Sequence, residues 1–246
     1  MRKEMWIAVV ILALGVIAPL QADVVVVPGT AMIWGAGHSS VPDSGATLPP
    51  FFSFTSGDVL SVSFSSITGT VNFGTQPLVI GPDGVSFANW PGTNINGYDG
   101  ISGIQFTGRQ MFLVGAFVGP EETSGSGPAK LVYSTASANG LVFSPLLAQV
   151  FFIGDGRGTG ALQQTFNVPT GATRLFFGFA DGVPEFGSPE TPVSPGAYGD
   201  NTGSLNVNYS LNEVNHPLVV STPEPSSLIV LGLGIAALTL TRRRRA

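Results

Sequence analysis

The stretch "PGAYGDNTGSLNVNYS", residues 195–210, sets a carboxylate beside an amide where a turn opens into an alternating strand pattern. Asp200 and Asn201 precede the run "SLNVNYSL", and Asp181 follows another strand-like run, "RLFFGFA". If these two strands are neighbours, the three side chains lie together. Calcium takes six to eight oxygen ligands from carboxylates, amides and backbone carbonyls, which loops rich in Asp, Asn and Gly can supply. The residues therefore predict a calcium site, with turn capping by Asp and Asn as the alternative.

The residue types support catalysis and phosphate binding less well than calcium binding. The chain has no cysteine, and its two histidines, His38 and His216, lie in no nucleophile or metal motif. The Gly-rich "GDGRGTG" at 154–160 lacks the Lys and the strand-to-helix context of a phosphate loop, so a hairpin turn is predicted there. We expect no enzyme. A carboxylate pair for glycoside hydrolysis stays as a less favoured alternative, and the loop acids that could form it are Asp83, Asp99, Asp155, Asp181, Glu185 and Asp200.

The elements that must position these residues are predicted to be strands. Gly and Pro interrupt the chain about every eight to twelve residues, which leaves little room for a helix. In "SLNVNYSL", Leu205, Val207 and Tyr209 share one face and Asn206 and Asn208 the other, as a half-solvated antiparallel strand requires. Similar short runs are "DVLSVSFSSI", "GISGIQF", "QMFLVGAFV", "AQVFFIG" and "RLFFGFA". The pattern predicts an all-β fold, an antiparallel β-sandwich of jelly-roll or galactose-binding type, over residues 23–221.

The charge of this central segment limits its partners. Residues 23–221 carry four basic and thirteen acidic side chains, a net charge of −9. An acidic surface repels phosphate backbones and attracts cations, so nucleic acid is not expected as a partner. Without cysteine the domain must be stabilised by its core, and about 200 residues are enough to form one.

The N-terminal segment has the pattern of an export signal. Residues 1–22 carry Arg2 and Lys3, then an apolar run from Trp6 to Ile17, then small residues ending at Ala22. This order predicts a signal peptide for the Sec export machinery, cleaved after Ala22, and the alternative is an uncleaved membrane anchor.

The C-terminal segment, residues 222–246, has a second address pattern. Pro223, Glu224 and Pro225 precede an uncharged apolar run from Leu228 to Leu240. A cluster of arginines follows the run, Arg242, Arg243, Arg244 and Arg245. The run is marginal for a spanning helix, which needs about 17 to 25 residues, and the arginines favour a cytoplasmic end.

This order closely resembles the PEP-CTERM sorting signal of Gram-negative bacteria. The resemblance implies processing by an exosortase and a transient stay in the inner membrane. Release to the cell surface or to an exopolysaccharide matrix would follow. A plain tail-anchored membrane protein is the alternative.

The central segment, over about residues 55–212, resembles the LecA-type (PA-IL) galactose-binding lectins of bacteria. The match is carried by "FFGFADG" and "PGAYGDNTGSLNVNYS", with weaker likeness at 55–77 and 81–103. In that family one calcium ion contacts both protein and sugar. The resemblance implies side-chain ligands at Asp181, Asp200 and Asn201, which would also touch the sugar, and backbone-carbonyl ligands at Ala197 and Phe73.

The chain departs from that family at three places. Asp200 stands where the family has an amide, and about ten extra residues, "PEFGSPETPV", follow the Asp181 segment. The loop "ANWPGTNING" lacks the His and Gln that contact the sugar in the family. Trp90 and Asn94 of this loop are the candidate sugar contacts here; Trp90 could stack on a sugar face or fill the sandwich edge.

Taken together, these patterns predict an exported surface or matrix protein that binds carbohydrate, galactose-like or exopolysaccharide, through a calcium site. The alternative from another class is a structural protein of the extracellular matrix or biofilm that binds no sugar.

Overall fold

The structure is a computed structural model that describes residues 23–74, 78–88, 91–183, 187–188 and 190–214. Within these residues the chain forms fourteen strands, one short α-helix and three 3-10 turns. The strands are β1 (Asp23–Pro28), β2 (Phe51–Ser53), β3 (Val59–Asn72), β4 (Gly92–Ile95), β5 (Ile104–Thr107), β6 (Leu113–Val118), β7 (Leu131–Tyr133), β8 (Val142–Phe143), β9 (Val150–Phe152), β10 (Thr165–Asn167), β11 (Arg174–Phe179), β12 (Gly182–Val183), β13 (Ser194–Pro195) and β14 (Thr202–Glu213). The helix α1 spans Thr135–Ala138, and the 3-10 turns span Ile33–Gly35, Thr159–Ala161 and Tyr198–Asp200.

Two sheets pack face to face. In the described residues one sheet has the strand order β1-β14-β3-β10-β8 and the other the order β2-β11-β6-β9. Rings from the two sheets meet: Phe52 stacks on Tyr209 with centroids 3.9 Å apart, and Phe64 meets Phe177 edge-on at 6.0 Å. Side chains that interdigitate between two sheets define a sandwich. The predicted all-β sandwich is confirmed.

Aromatic side chains make up much of the core. Phe117, Phe151, Phe166 and Phe177 are each fully buried. Phe151 of β9 and Phe166 of β10 lie 5.2 Å apart between their ring centroids and so join the two sheets at the other end of the core. Burial of this apolar area is the main stabilising term in a domain that has no disulfide.

The strands predicted from the sequence are present. The six runs quoted above correspond to β3, β5, β6, β9, β11 and β14. In β14, Leu205, Val207 and Tyr209 are buried while Asn206 is exposed, as the alternation predicted. Strand β1, which pairs with β14 at the edge of its sheet, was not predicted.

Two smaller sheets complete the described fold. Strands β4, β5 and β7 form a three-stranded sheet. Strands β12 and β13 form a two-stranded one, in which Gly182 pairs with Pro195. The latter hairpin closes the ten-residue segment that follows the Asp181 turn, so the added residues do not separate that turn from residues 196–201.

The two predicted terminal segments, 1–22 and 222–246, lie outside the described residues. Among the residues that the structure does describe, no helix is long and apolar enough to cross a membrane. The predicted short apolar helix of the tail is not among them.

Candidate functional site

Asp181 and Asn201 are in direct contact at one end of the sandwich. The Asn201 Nδ2 amide donates to Asp181 Oδ2 at 2.9 Å and to the Gly29 carbonyl at 3.1 Å. Asp181 Oδ1 accepts from the Gly182 amide at 2.8 Å. The two side chains are 3% and 5% exposed. The predicted proximity of these two residues is therefore present.

Asp181 and Asn201 do not meet because their strands are neighbours in one sheet, which was the expectation from the sequence. Strands β11 and β14 are not hydrogen-bonded neighbours: β11 pairs with β2 and β6, and β14 pairs with β1 and β3. Asp181 follows β11 and Asn201 precedes β14, so the residues meet because the strands belong to opposite layers of the sandwich. The Gly196 amide donates to the Asp181 carbonyl at 3.2 Å and ties the two turns together.

Ala197 and Asp200 belong to the turn that leads to Asn201, and Phe73 lies in the turn that follows β3. Asp200 is exposed, and its Oδ2 would be 3.7 Å from a methyl group at Gly74, the residue after Phe73. The pairing of Thr202 with Asn72 brings these two turns together. Ala197 adopts a left-handed conformation, with φ 69°, immediately before the 3-10 turn that carries Asp200. The five predicted metal ligands thus come from turns at the same end of the sandwich.

Hydrogen bonds made by two further residues, which the sequence did not single out, hold the turns of the site in place. Asp43 Oδ2 accepts from the Tyr198 amide at 2.9 Å, and its Oδ1 accepts from the Gly45 amide at 2.9 Å. The fully buried Tyr198 donates its hydroxyl to the Phe179 carbonyl at 2.6 Å. The signal available for Asp43 was "PDSG", a turn sequence in which Asp bonds its own backbone two residues on.

The electrostatics of the site are dominated by the buried carboxyl group of Asp181. The pKa of Asp181 is raised to about 7, and burial is the largest cause; hydrogen bonds from Asn201 and Gly182 oppose the shift, and the nearby carboxylates of Asp200 and Asp43 add to it. Among the described residues, no basic side chain contributes to this shift. A buried carboxylate is stable only if it is protonated or paired with a cation.

The amide oxygen of Asn201 is the second unusual feature. Asn201 Oδ1 is buried and accepts no hydrogen bond in the described part of the chain. Buried amide oxygens almost always have a partner, so one without a partner is a candidate ligand position. Among the described residues no group of three or more His, Asp or Glu side chains is arranged to hold a metal. A cation here would therefore depend on two carboxylates, an amide and backbone carbonyls.

The raised pKa of Asp181 predicts how stability depends on pH. Between about pH 4 and pH 7 the metal-free folded protein keeps a proton on Asp181 that the unfolded chain, with its pKa near 3.8, has released. We therefore expect the free energy of unfolding in EDTA to decrease as pH rises through this range and to level off above about pH 7. Urea denaturation at pH 5, 6, 7 and 8 measures the slope, and Asp181→Asn should flatten it. An equal slope in the parent and in Asp181→Asn would contradict the assignment.

Of the two loop residues predicted to contact sugar, Trp90 and Asn94, the structure describes only Asn94. Trp90 lies outside the described residues. Asn94 is 2% exposed; its Nδ2 donates to the Ser188 carbonyl at 2.8 Å, and its Oδ1 accepts from Lys130 Nζ. A side chain held within the protein in this way has no exposed surface to offer to a sugar, so the structure does not place Asn94 as predicted.

The sorting-motif residues, Pro223 to Pro225 and Arg242 to Arg245, also lie outside the described residues, but the comparison with protein families covers them. Residues 221–245 match the PEP-CTERM protein-sorting motif. The chain matches no curated protein and no solved structure, so no homologue supports the galactose-lectin resemblance of the central domain. The chain is therefore an exported protein that passes the membrane and is sorted to the cell surface by an exosortase acting on its C-terminal motif.

Proposed function

We propose that this exported protein binds one calcium ion at the end of its sandwich and holds a carbohydrate at the cell surface through that ion. Asp181, Asp200 and Asn201 supply side-chain oxygens, and Ala197 and Phe73 supply backbone carbonyls. The observation that carries the proposal is the pairing of a 3% exposed carboxylate with an amide whose oxygen has no partner in the described residues.

Calcium fits this set of donors better than other metals do. Calcium accepts carboxylate, amide and carbonyl oxygens in flexible geometry, whereas zinc prefers nitrogen and sulfur ligands. The charges of Asp43 and Asp200 act on Asp181, and the three negative charges together favour a divalent cation. A bound ion would also replace the proton that burial otherwise keeps on Asp181.

The carbohydrate part of the proposal follows from the coordination number. Five protein oxygens leave calcium one to three ligand positions, since it takes six to eight. Asp200 is exposed, so these positions face solvent on its side of the site. Adjacent sugar hydroxyls can fill them, and an exported surface protein meets polysaccharide where it is delivered.

A galactose column tests the two parts together. The metal-stripped protein should flow through a column of immobilised galactose. It should be retained when calcium is present at about 1 mM, and EDTA should then elute it. Asp200→Ala should lose retention, whereas Asp200→Asn should keep it because an amide oxygen can also bind calcium. Asn206→Ala, on the exposed face of β14, is the matched control and should behave like the parent. Failure of calcium to promote retention on galactose, glucose and mannose columns would contradict the sugar-binding part.

A further inference from the structure

A cavity of about 240 Å³ is lined by side chains of both charges, and none of its lining residues is a proposed calcium ligand. Its lining includes Asp83, Arg109, Asp155 and Arg157, and Thr135 of α1 lies at its side. Typical pockets for drug-sized ligands measure about 300–1,000 Å³. This smaller cavity, called here the Asp83–Asp155 pocket, fits a ligand of about one sugar ring.

The two carboxylates of the pocket are held by the "GDGRGTG" turn. Asp83 Oδ1 accepts from the Asp155 amide at 2.9 Å, and Asp155 Oδ1 accepts from the Arg157 amide at 2.8 Å. Gly154 has φ 57°, and a methyl group there would lie 2.3 Å from Asp83 Oδ1. Glycine is therefore needed at 154 for Asp83 to reach the turn. The turn predicted as a simple hairpin thus also positions two acids.

The two arginines bring positive charge to the same place. Arg109 Nη1 donates to the Asp83 carbonyl at 3.1 Å, and Arg157 Nη2 donates to the Ser65 carbonyl at 2.8 Å. They are half of the four basic residues between positions 23 and 221, in a segment that carries thirteen acids. Arg157 Nη1 also donates to the Ala161 carbonyl at 3.5 Å. Each guanidinium has five N–H donors in a fixed plane, so these backbone bonds leave further donors able to face a ligand.

Two buried rings give the pocket an apolar side. Phe106 and Phe152 are 1% and 5% exposed, and their rings meet edge to face with centroids 5.1 Å apart. Burial and the neighbouring Asp83 raise the pKa of Asp155. Acid pairs of this kind in a cleft are frequent at functional sites.

We propose that the Asp83–Asp155 pocket binds a neutral hexose-type sugar residue without calcium. The two carboxylates and two guanidiniums cancel in formal charge, so the pocket does not favour an anion or a cation. Hydroxyl groups both donate and accept hydrogen bonds, so a polyhydroxylated ring can meet carboxylate acceptors and guanidinium donors in the same cavity.

Calorimetric titration in EDTA tests this proposal with glucose, galactose and mannose as probes. We expect at least one hexose to bind with a Kd on the order of 1 mM. Asp155→Asn should weaken that binding about tenfold or more, because it removes a charged acceptor. Thr135→Trp, at an exposed position, should block the pocket without removing any core contact. Thermal unfolding of each variant establishes that it is folded.

Two matched variants separate this pocket from the proposed calcium site. Asp99→Asn makes the same chemical change at another loop acid, and Asp181→Asn changes the calcium site; both should keep calcium-free hexose binding. The proposal is overturned if none of the three hexoses binds in EDTA, if binding requires calcium, or if Asp155→Asn and Thr135→Trp bind as the parent does. A calcium-dependent signal alone would support the proposed function and reject this pocket.

Discussion

Asp181→Asn is expected to remove the stabilisation of the protein by calcium. At a calcium concentration 100 times the Kd, a single site adds about 2.7 kcal/mol to the free energy of unfolding. For a domain of this size that corresponds to a rise in Tm of roughly 5–11 °C. The parent should show the rise in a thermal scan and Asp181→Asn should not, because the variant lacks the buried carboxylate that calcium would neutralise.

The same substitution should have the opposite effect without metal. At pH 8 in EDTA the parent must keep a charged carboxylate at a 3% exposed position, whereas Asn carries no charge. We expect the metal-free variant to be at least as stable as the metal-free parent at this pH. A variant that keeps the full calcium-dependent rise would show that the stabilising ion binds elsewhere.

Phe177→Ala is expected to destabilise the fold by about 3–5 kcal/mol. Phe177 is fully buried in β11, and its ring meets Phe52 at 5.9 Å and Phe64 at 6.0 Å between centroids. The ring therefore joins both layers, and its loss leaves a cavity that the two sheets cannot close together. Urea denaturation in EDTA, which keeps calcium out of the comparison, measures the change.

Val79→Ala is the control for that experiment. Val79 is 81% exposed, and its truncation should change stability by no more than about 0.5 kcal/mol. Because domains of this kind have total stabilities of about 5–15 kcal/mol, Phe177→Ala could remove a large part of the fold's margin. A cost below about 1 kcal/mol at Phe177 would contradict the description of a shared aromatic core.

The sequence predicted the strands better than their arrangement. The alternation of apolar and polar residues in β14 predicts which of its side chains face the core, since successive side chains of a strand point to opposite faces. Strands β4, β7 and β8 have two to four residues, too few to show a period. Neither pattern tells which strands share a sheet, and β11 and β14 belong to different ones.

The candidate site was predicted only in part, because local patterns identify residues at strand ends but not the contacts between distant segments. Asp181 and Asn201 were identified by residue type and by their places at strand ends, and the fold brings them within 2.9 Å. The turn sequence "PDSG" marks Asp43 only as a turn residue; its contact with Tyr198, 155 positions later, is tertiary and could not be predicted. Asn94 was predicted to contact sugar, and its polar character did not reveal that it is buried and hydrogen-bonded to Lys130 and Ser188.

The loop acids show most clearly that sequence alone does not give distances between residues far apart in the chain. Sequence offered six possible members of a carboxylate pair and no distances among them. The fold brings Asp83 to the Asp155 amide, across 72 positions of the chain, and encloses both in a cavity with two arginines. Long-range closure of this kind depends on the whole topology, so it becomes visible only with the structure.

The export motif and the fold together suit a surface role. The sorting motif at residues 221–245 implies an exported protein that is sorted to the cell surface, and the described domain is cysteine-free and stabilised by aromatic burial. Such a domain does not depend on an oxidative folding step after export. Its acidic surface also favours binding of cations over binding of nucleic acid.

Calorimetric titration of calcium into the metal-stripped protein tests the central claim most directly. We predict one binding event per chain at pH 8 for the parent and for Asn206→Ala, and none for Asp181→Asn. Absence of calcium binding to the parent, or binding of equal stoichiometry and affinity to Asp181→Asn, would contradict the claim. The Asp181–Asn201 pair would then be a buried turn brace, and the matrix protein without a calcium site would be the better account.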